Sequence, residues 1–492
     1  MFLENIVNGF RRVKTDVKRA ACMSLATLVL SGVVSREAVA KTYYVNPENE
    51  KCPAIQSVIN DCNDGDEIIV SKGIYYENIN FNGKNITLRS TDPNNQDIVA
   101  RTIIDGGQNG PVVSFYNGEG YNAPCVLSGF TITNGYWDFG GGISCEGSSP
   151  TFVNCVISGN YASWDGGGMF NSGGSPTVMN CTFSENDAAK GAAVFNVNGN
   201  SSFIDCTFTQ NLAHESGAGM YVWQSNPSIT DCNFNRNLAV NGAGIFNQES
   251  SPTITNCNFN ENEARYGYWG FGGGVYNYQS NPIIERCIMA NNYAEWGGGI
   301  ACNENSSPTI KNCTISGNLT YQDGGGIYCG ASSNPLITNS TIVGNETEEA
   351  DVAGIACFGG SAPIITYSDI QGGWPGEGNI DADPLFVNPN NGDYHLKSRA
   401  GRWDPNLGSW TLDDVTSPCI DTGDPRSPIG YEPFPNGGRI NMGAYGGTAE
   451  ASKSYFGKPN CETIVAGDIN GDCAIDFKDF AIMASHWLED RN

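Results

Sequence analysis

Near the end of the chain, oxygen-bearing side chains recur at loop spacing. Asp468, Asn470, Asp472, Asp476 and Asp479 stand at positions 1, 3, 5, 9 and 12 of one segment, and the carbonyl of Ala474 falls at position 7. Hard oxygen donors at these intervals can close around one centre, and Ca2+ is the ion that takes such a set. The spacing predicts Ca2+ held by Asp468, Asn470, Asp472, Ala474, Asp476 and Asp479, with a helix over Phe480–Leu488 behind it. A solvated acidic turn is the plain alternative. Cys473 stands at position 6, where such a loop turns on glycine.

A second set of side chains mixes aromatics with acids. It comprises Tyr136-Trp137-Asp138-Phe139, Tyr161 with Trp164-Asp165, Tyr293 with Glu295-Trp296, Tyr321 with Asp323, and the longer run from Arg265 through Tyr268 and Trp269 to Phe271. Each precedes a Gly-Gly-Gly run. Flat aromatic faces stack on sugar rings and carboxylates bind hydroxyls or cations, so Trp137, Trp164, Tyr268, Trp269 and Trp296 are the expected contacts to a polysaccharide. Asp165, Glu295 and Asp323 are the candidates for acid–base or nucleophilic work, which needs carboxyl groups about 5 Å apart for retention or about 6.5–9.5 Å for inversion. A lyase would need a base and a cation, and Lys190, Arg236, Arg265 and Arg286 are scattered candidates. The competing reading is of aromatic turns that close the core, with acids facing water. The three histidines, His214, His395 and His486, form no recognisable catalytic set.

What must position these groups is a repeat. Segments such as NCTFSEN (Asn180–Asn186) and DCNFNRN (Asp231–Asn237) recur, and Cys155, Cys181, Cys206, Cys232, Cys257, Cys287 and Cys313 follow at intervals of 25 or 26 residues with a single 30. Such a period marks a solenoid. Each unit holds three short runs of alternating apolar and polar residues, too short for helices. Three strands in about 25 residues can only stack parallel on the next turn. The expected fold is all-β, a right-handed parallel β-helix of ten or more three-strand coils, with a small C-terminal calcium loop-helix module. Ten coils span roughly 48 Å. The cysteine column is counted from Gly129 and continued by Ser340 and Ser368, and it should point inward with Phe259. Asn258 should point out. Asn134, Asn160, Asn186, Asn211, Asn237, Asn262, Asn292, Asn318 and Asn345 form a column whose amides can bond to each other and to turn backbone.

Composition narrows the setting. Residues 1–40 combine Arg11, Arg12, Lys14, Lys18 and Arg19 with an apolar stretch, Ala20–Val34, and a small-residue site, Ala38-Val39-Ala40. This reads as an export signal, with an uncleaved anchor as the alternative, although the stretch is short for spanning a bilayer. The whole chain carries a net charge of −26; removing six basic and three acidic residues with 1–40 leaves 20 and 49, or −29. Nucleic acid and anionic membrane surfaces are therefore excluded as partners, and no other segment reads as an integral membrane span. Of 18 cysteines, the ladder members read as packing residues, while Cys52/Cys62 and Cys461/Cys473 are disulfide candidates.

The expected organisation is a signal (1–40), an N-terminal cap and first coils (41–128), regular repeats (129–375), a C-terminal cap (376–450), a linker (451–466) and the calcium module (467–492). The Phe-x-x-Asn and Gly-Gly-Ala-Ile-like repeats resemble the right-handed β-helix repeats of the pectate-lyase-like superfamily and are similar to autotransporter passenger domains, without a terminal membrane barrel. The run DPLFV…NGDYHL…SPCIDTGD…NMGAYGG, within 383–447, resembles the choice-of-anchor segment of bacterial surface β-helix proteins. The 468–479 loop is similar to half of a type I dockerin. These resemblances imply an extracellular or cell-surface location and a cohesin-like or cell-surface partner. They imply no single activity, and the catalytic motifs of pectin methylesterases, pectate lyases and polygalacturonases are incomplete or absent. The function expected is polysaccharide engagement outside the cell. A non-catalytic adhesin-like structural protein is one alternative; a polysaccharide lyase or glycoside hydrolase is the other.

Overall fold

Strands of two to five residues, punctuated by residues that accept left-handed backbone, give a coiled chain. The computed structural model describes residues 40–47, 54–116, 118–265, 269–349 and 352–454, with Phe477 and Phe480 as isolated positions. The signal segment 1–39, Tyr268, Cys52, and the 468–476 part of the calcium loop with Asp479 lie outside the described residues.

Four parallel sheets run along the solenoid. Sheet 1 has 13 strands, from Thr42–Val45 to Ile364–Thr366, and sheet 2 has 12, from Gly73–Tyr76 to Asp369–Ile370. Sheet 3 has 11, from Ile79–Asn80 to Ile355–Cys357, and sheet 4 has nine, from Tyr136–Phe139 to Glu346–Thr347. Three sheets thus accompany the chain as three strands per coil require. The aromatic segment read as a loop is itself a fourth, short strand. One glycine after each sheet-4 strand from Tyr136–Phe139 to Leu319–Thr320, beginning with Gly140 and ending with Gly324, has φ between +56° and +78°, a conformation that costs other residues strain.

The core is built by stacking like on like. Phe183, Phe208, Phe234 and Phe259 lie in register, with ring centroids 5.3, 4.5 and 4.8 Å apart. All four are fully buried, and each contributes roughly 1.5–3 kcal/mol by leaving water. The ladder cysteines are buried free thiols, and burial pushes those of Cys181, Cys206, Cys257 and Cys313 up. Cys62 is also a buried free thiol, raised to about 11 chiefly by burial. Cys257 and Phe259 face in and Asn258 faces out.

The asparagine column is a continuous ladder. Asn237 Nδ2 donates to Asn262 Oδ1 (2.9 Å) and to Phe208 O (3.0 Å), while its Oδ1 accepts from Asn211 N (3.2 Å) and Nδ2 (2.9 Å). The ladder's upper end differs from the expected alignment by one residue. Gly135, not Asn134, donates its amide to Asn160 Oδ1, and Asn134 turns to Asp105 instead. Likewise Phe130 takes the place given to Gly129: its carbonyl accepts from Val156, as that of Cys155 accepts from Thr182. A fully buried phenyl ring fills the column there, which a glycine could not do.

The helix Ile55–Asp61 closes the first coil by burying Ile55, Val58 and Ile59. Glu77 holds its N-terminus, accepting from Ile55 N and Gln56 N at 2.9 Å each. At the other end, hairpins Phe386–Asn388/Asp393–Leu396 and Arg402–Asp404/Ser409–Thr411 lead into a segment that returns over the last coils. Asn339 anchors it, accepting from Asp424 N (2.6 Å) and donating to Ser427 Oγ (3.0 Å).

Candidate functional site: the sheet-4 edge

Sheet 4 forms a narrow corner. Its second position is alanine through six coils, Ala162, Ala188, Ala213, Ala239, Ala264 and Ala294, all buried. Only small side chains fit inward, so the larger residues on either side of that column face out. Tyr136 and Tyr161 stack at 5.0 Å with planes 13° apart. Trp137 and Trp164 are exposed beside them, 49% and 59%. Trp164 stands at a register shift between Ala162 and Asp165, which frees its side chain from the ladder. Further along, Trp269 is 66% exposed and stacks on Trp296 at 5.1 Å, and Phe271 stacks on Trp296 at 5.0 Å. Strands sit roughly 4.8 Å apart, so Trp164 and the Trp269–Trp296 pair, four to five strands on, are about 20 Å apart.

A polar cluster occupies the interval. Asp165, Lys190 and Ser216 share one register column. Lys190 Nζ lies 3.4 Å from Glu215 Oε2 and 5.9 Å from the centre of the Tyr221 ring. Burial pushes the Asp165 carboxyl up to about 6, against the pull of Lys190 and with the help of Glu215. His214 Nε2 is 2.9 Å from Asp187 Oδ1. A carboxyl that titrates near 6 beside an ammonium is suited to proton transfer near neutral pH.

Of the three acids expected to do chemistry, Glu295 and Asp323 lie on neighbouring coils and Asp165 lies apart. Glu295 follows a strand five steps from Asp165, roughly 24 Å away, and its carboxyl is raised by burial, then by Glu348 and Glu349. Asp323 lies one strand beyond Glu295: Gln322 N donates to Glu295 O at 3.0 Å. Lys190, which sequence reading left scattered, and Glu215, which it missed, are the charged neighbours of Asp165. The signal was present, since 165, 190 and 215 are separated by the coil period.

Sequence reading also missed an aromatic ladder on the outer face of sheet 3. Phe170, Phe195, Tyr221, Phe246 and Tyr276 follow inward residues such as Met169 and Val194, and successive rings lie 5.6, 5.0, 4.8 and 5.0 Å apart. Phe195, Tyr221, Phe246 and Tyr276 are nevertheless buried, because each ring covers the next and Lys190 lies over Tyr221. The ladder stiffens the wall beside the polar cluster. His395 lies elsewhere, buried in the C-terminal segment with Nδ1 2.7 Å from Asp393 Oδ1 and its ring stacked on Tyr445.

Among the described residues, no group of three or more His, Cys, Asp or Glu could hold a metal ion, and no helix is long and apolar enough to cross a membrane. The sequence matches a family described as right handed beta helix region over residues 90–237, 188–322 and 218–380. Residues 367–423 match a family described as disaggregatase related. No curated protein matches the chain. A solved structure, the crystal structure of pectate lyase Pel9A, is similar at 14% identity and a TM-score of 0.47, over 83% of this chain and 96% of that one. That degree of similarity bears on neither activity nor substrate. The matches to the first family together span 90–380, more than half of the sequence, and the coils they cover are those of the four parallel sheets, so the chain belongs to the right-handed β-helix family.

Proposed function

We propose that this protein engages polysaccharide outside the cell along the sheet-4 edge. One observation carries the reading: two aromatic platforms, exposed Trp137 and Trp164, and exposed Trp269 stacked on half-buried Trp296, lie on one ribbon about 20 Å apart with hydrogen-bonding side chains between them. Aromatic faces take sugar rings, and Lys190, Glu215, Asp187 and His214 offer donors and acceptors for hydroxyls. Tyr268 extends the second platform in sequence. In this reading the 468–479 loop binds Ca2+ through oxygen donors only and supplies attachment to a cohesin-like or cell-surface partner.

The polar cluster supports a second reading, glycoside hydrolysis. Asp165, raised to about 6, would protonate the leaving oxygen, and Glu215 would activate water. Glu215 lies two strands along, roughly 10 Å at the backbone, which suits an inverting geometry better than a covalent one.

Retention of the mature protein on neutral and uronic-acid polysaccharides tests both readings when reducing ends are assayed alongside. Binding to at least one glycan is expected, lost at least tenfold when Trp164, Trp269 and Trp296 are changed to Ala together. Unchanged retention in that triple variant would sink the sugar edge. Reducing ends without absorbance from unsaturated uronates, vanishing in Asp165→Asn, would establish hydrolysis; both signals together would establish a lyase, and neither retention nor products would favour an adhesin-like structural role. For the loop, calorimetry of the full chain should show one Ca2+ site that Asp468→Ala removes; equal binding by that variant would exclude this site.

A further inference from the structure

A cleft of about 600 Å3 opens between the outer face of sheet 1 and the returning C-terminal segment. Its floor includes Leu336 and Ile364, outward-facing and 42% and 62% exposed. Its polar lining is unusual for a chain of net charge −26, because Arg286, Lys311 and Arg426 converge on it. The two carboxylates that also line it are each engaged by a neighbour: Glu285 by Arg286, and Asp424 by Arg426 through contacts of 3.0 and 3.1 Å. Lys311 has no ion pair among the described residues.

Two further observations set the surroundings of this cleft apart. Asn312 lines the cleft, is 6% exposed, and its Nδ2 donates to nothing in the protein. A buried amide donor left so is costly unless a ligand or water completes it. Arg286 also breaks a local rule. The turn between sheets 1 and 2 takes left-handed backbone at Asn154, Asn180, Asp205, Asp231 and Asn256 in successive coils, and the next residue in that column is Arg286, at φ 52°. Asn and Asp tolerate this conformation and arginine less so.

We propose that the cleft binds a small carboxylate ligand carrying a ring or other apolar face. The carboxylate oxygens accept from Lys311 and from the N–H groups that Arg286 and Arg426 do not donate to Asn256, Glu285 and Asp424, while the ring lies on Leu336 and Ile364. Such a carboxylate can come from an acidic sugar or from a free organic acid. Calorimetric titration of the full chain at low salt, with sodium glucuronate, sodium benzoate and uncharged glucose as probes, separates these sources. At least one carboxylate should bind saturably and glucose should not. Glucuronate alone indicates an acidic sugar; benzoate alone, or both, indicates a general organic acid. Lys311→Gln and Arg286→Asn should each weaken binding roughly tenfold, as expected for a charge-assisted bond. Arg286→Asn installs the residue type the turn column already accepts, so loss of binding there would not reflect misfolding. Failure of both carboxylates to saturate at millimolar concentration, equal binding of glucose, or unchanged affinity in both variants would overturn the assignment.

Discussion

Raising the pH from 5 to 8 is expected to destabilise the C-terminal segment by several kcal/mol. Glu432 is buried, and its Oε1 accepts from Asn441 N (2.8 Å) and Gly447 N (2.9 Å) while Oε2 has no partner. Burial dominates over those two donors and pushes its carboxyl from 4.5 up to about 7. Asp369 is buried under the same segment, accepts from Cys419 Sγ at 3.2 Å, and is pushed from 3.8 up to about 6, again chiefly by burial. Both carboxyls hold their proton more tightly when folded than when unfolded. Their stabilising effect is therefore complete below their unfolded values, near pH 4, and is lost as the pH climbs through about 6 for Asp369 and about 7 for Glu432. Each shift corresponds to roughly 3 kcal/mol. Asp424, held low by Arg426, acts in the opposite sense and only at acid pH. Thermal unfolding followed between pH 4.5 and 8 should show a falling midpoint, and Glu432→Gln should flatten much of the slope above pH 5. A midpoint independent of pH, or an unchanged slope in the variant, would contradict this account.

Asn237→Ala should cost at least about 3 kcal/mol although it removes no large apolar group. The side chain satisfies four groups on the two neighbouring coils: Asn211 N and Nδ2, Phe208 O and Asn262 Oδ1. Alanine leaves these without that partner in a buried column, and each unmet buried group costs on the order of 1–3 kcal/mol. Because coils contact mainly their neighbours, the break weakens coupling between the two halves of the solenoid. Denaturant unfolding should therefore lose cooperativity as well as midpoint. Asn258→Ala, on the outer face of the next coil with one exposed bond to Asn233, should stay within about 0.5 kcal/mol of the parent. Equal effects of the two substitutions would show that the ladder's hydrogen bonds add nothing beyond surface bonds.

The contrast between Asn237 and Asn258 also marks how far residue order can be read. A coil period repeated through Cys155–Cys313 leaves one stacking solution, since each side chain can only sit over its counterpart one coil earlier, 25 or 26 residues back and 30 in one coil. Sheet direction, the inward cysteine and phenylalanine columns and the asparagine ladder follow from that periodicity. The same arithmetic links Asp165, Lys190 and Glu215, yet it does not say that burial lifts the Asp165 carboxyl; that depends on how tightly the corner closes. Where periodicity fails, tertiary structure decided. Phe130 displaced Gly129 from its column because a phenyl ring fills that space. The aromatic segment became a fourth strand because a corner only an alanine wide lets it pair with the next coil. The cleft at Arg286, Lys311 and Arg426 joins residues more than 100 positions apart, brought together by a returning segment that follows no repeat. Sequence alone thus determined what recurs at every coil, because stacking is a nearest-neighbour rule; the structure determined what meets only once, because such contacts depend on the path of the whole chain.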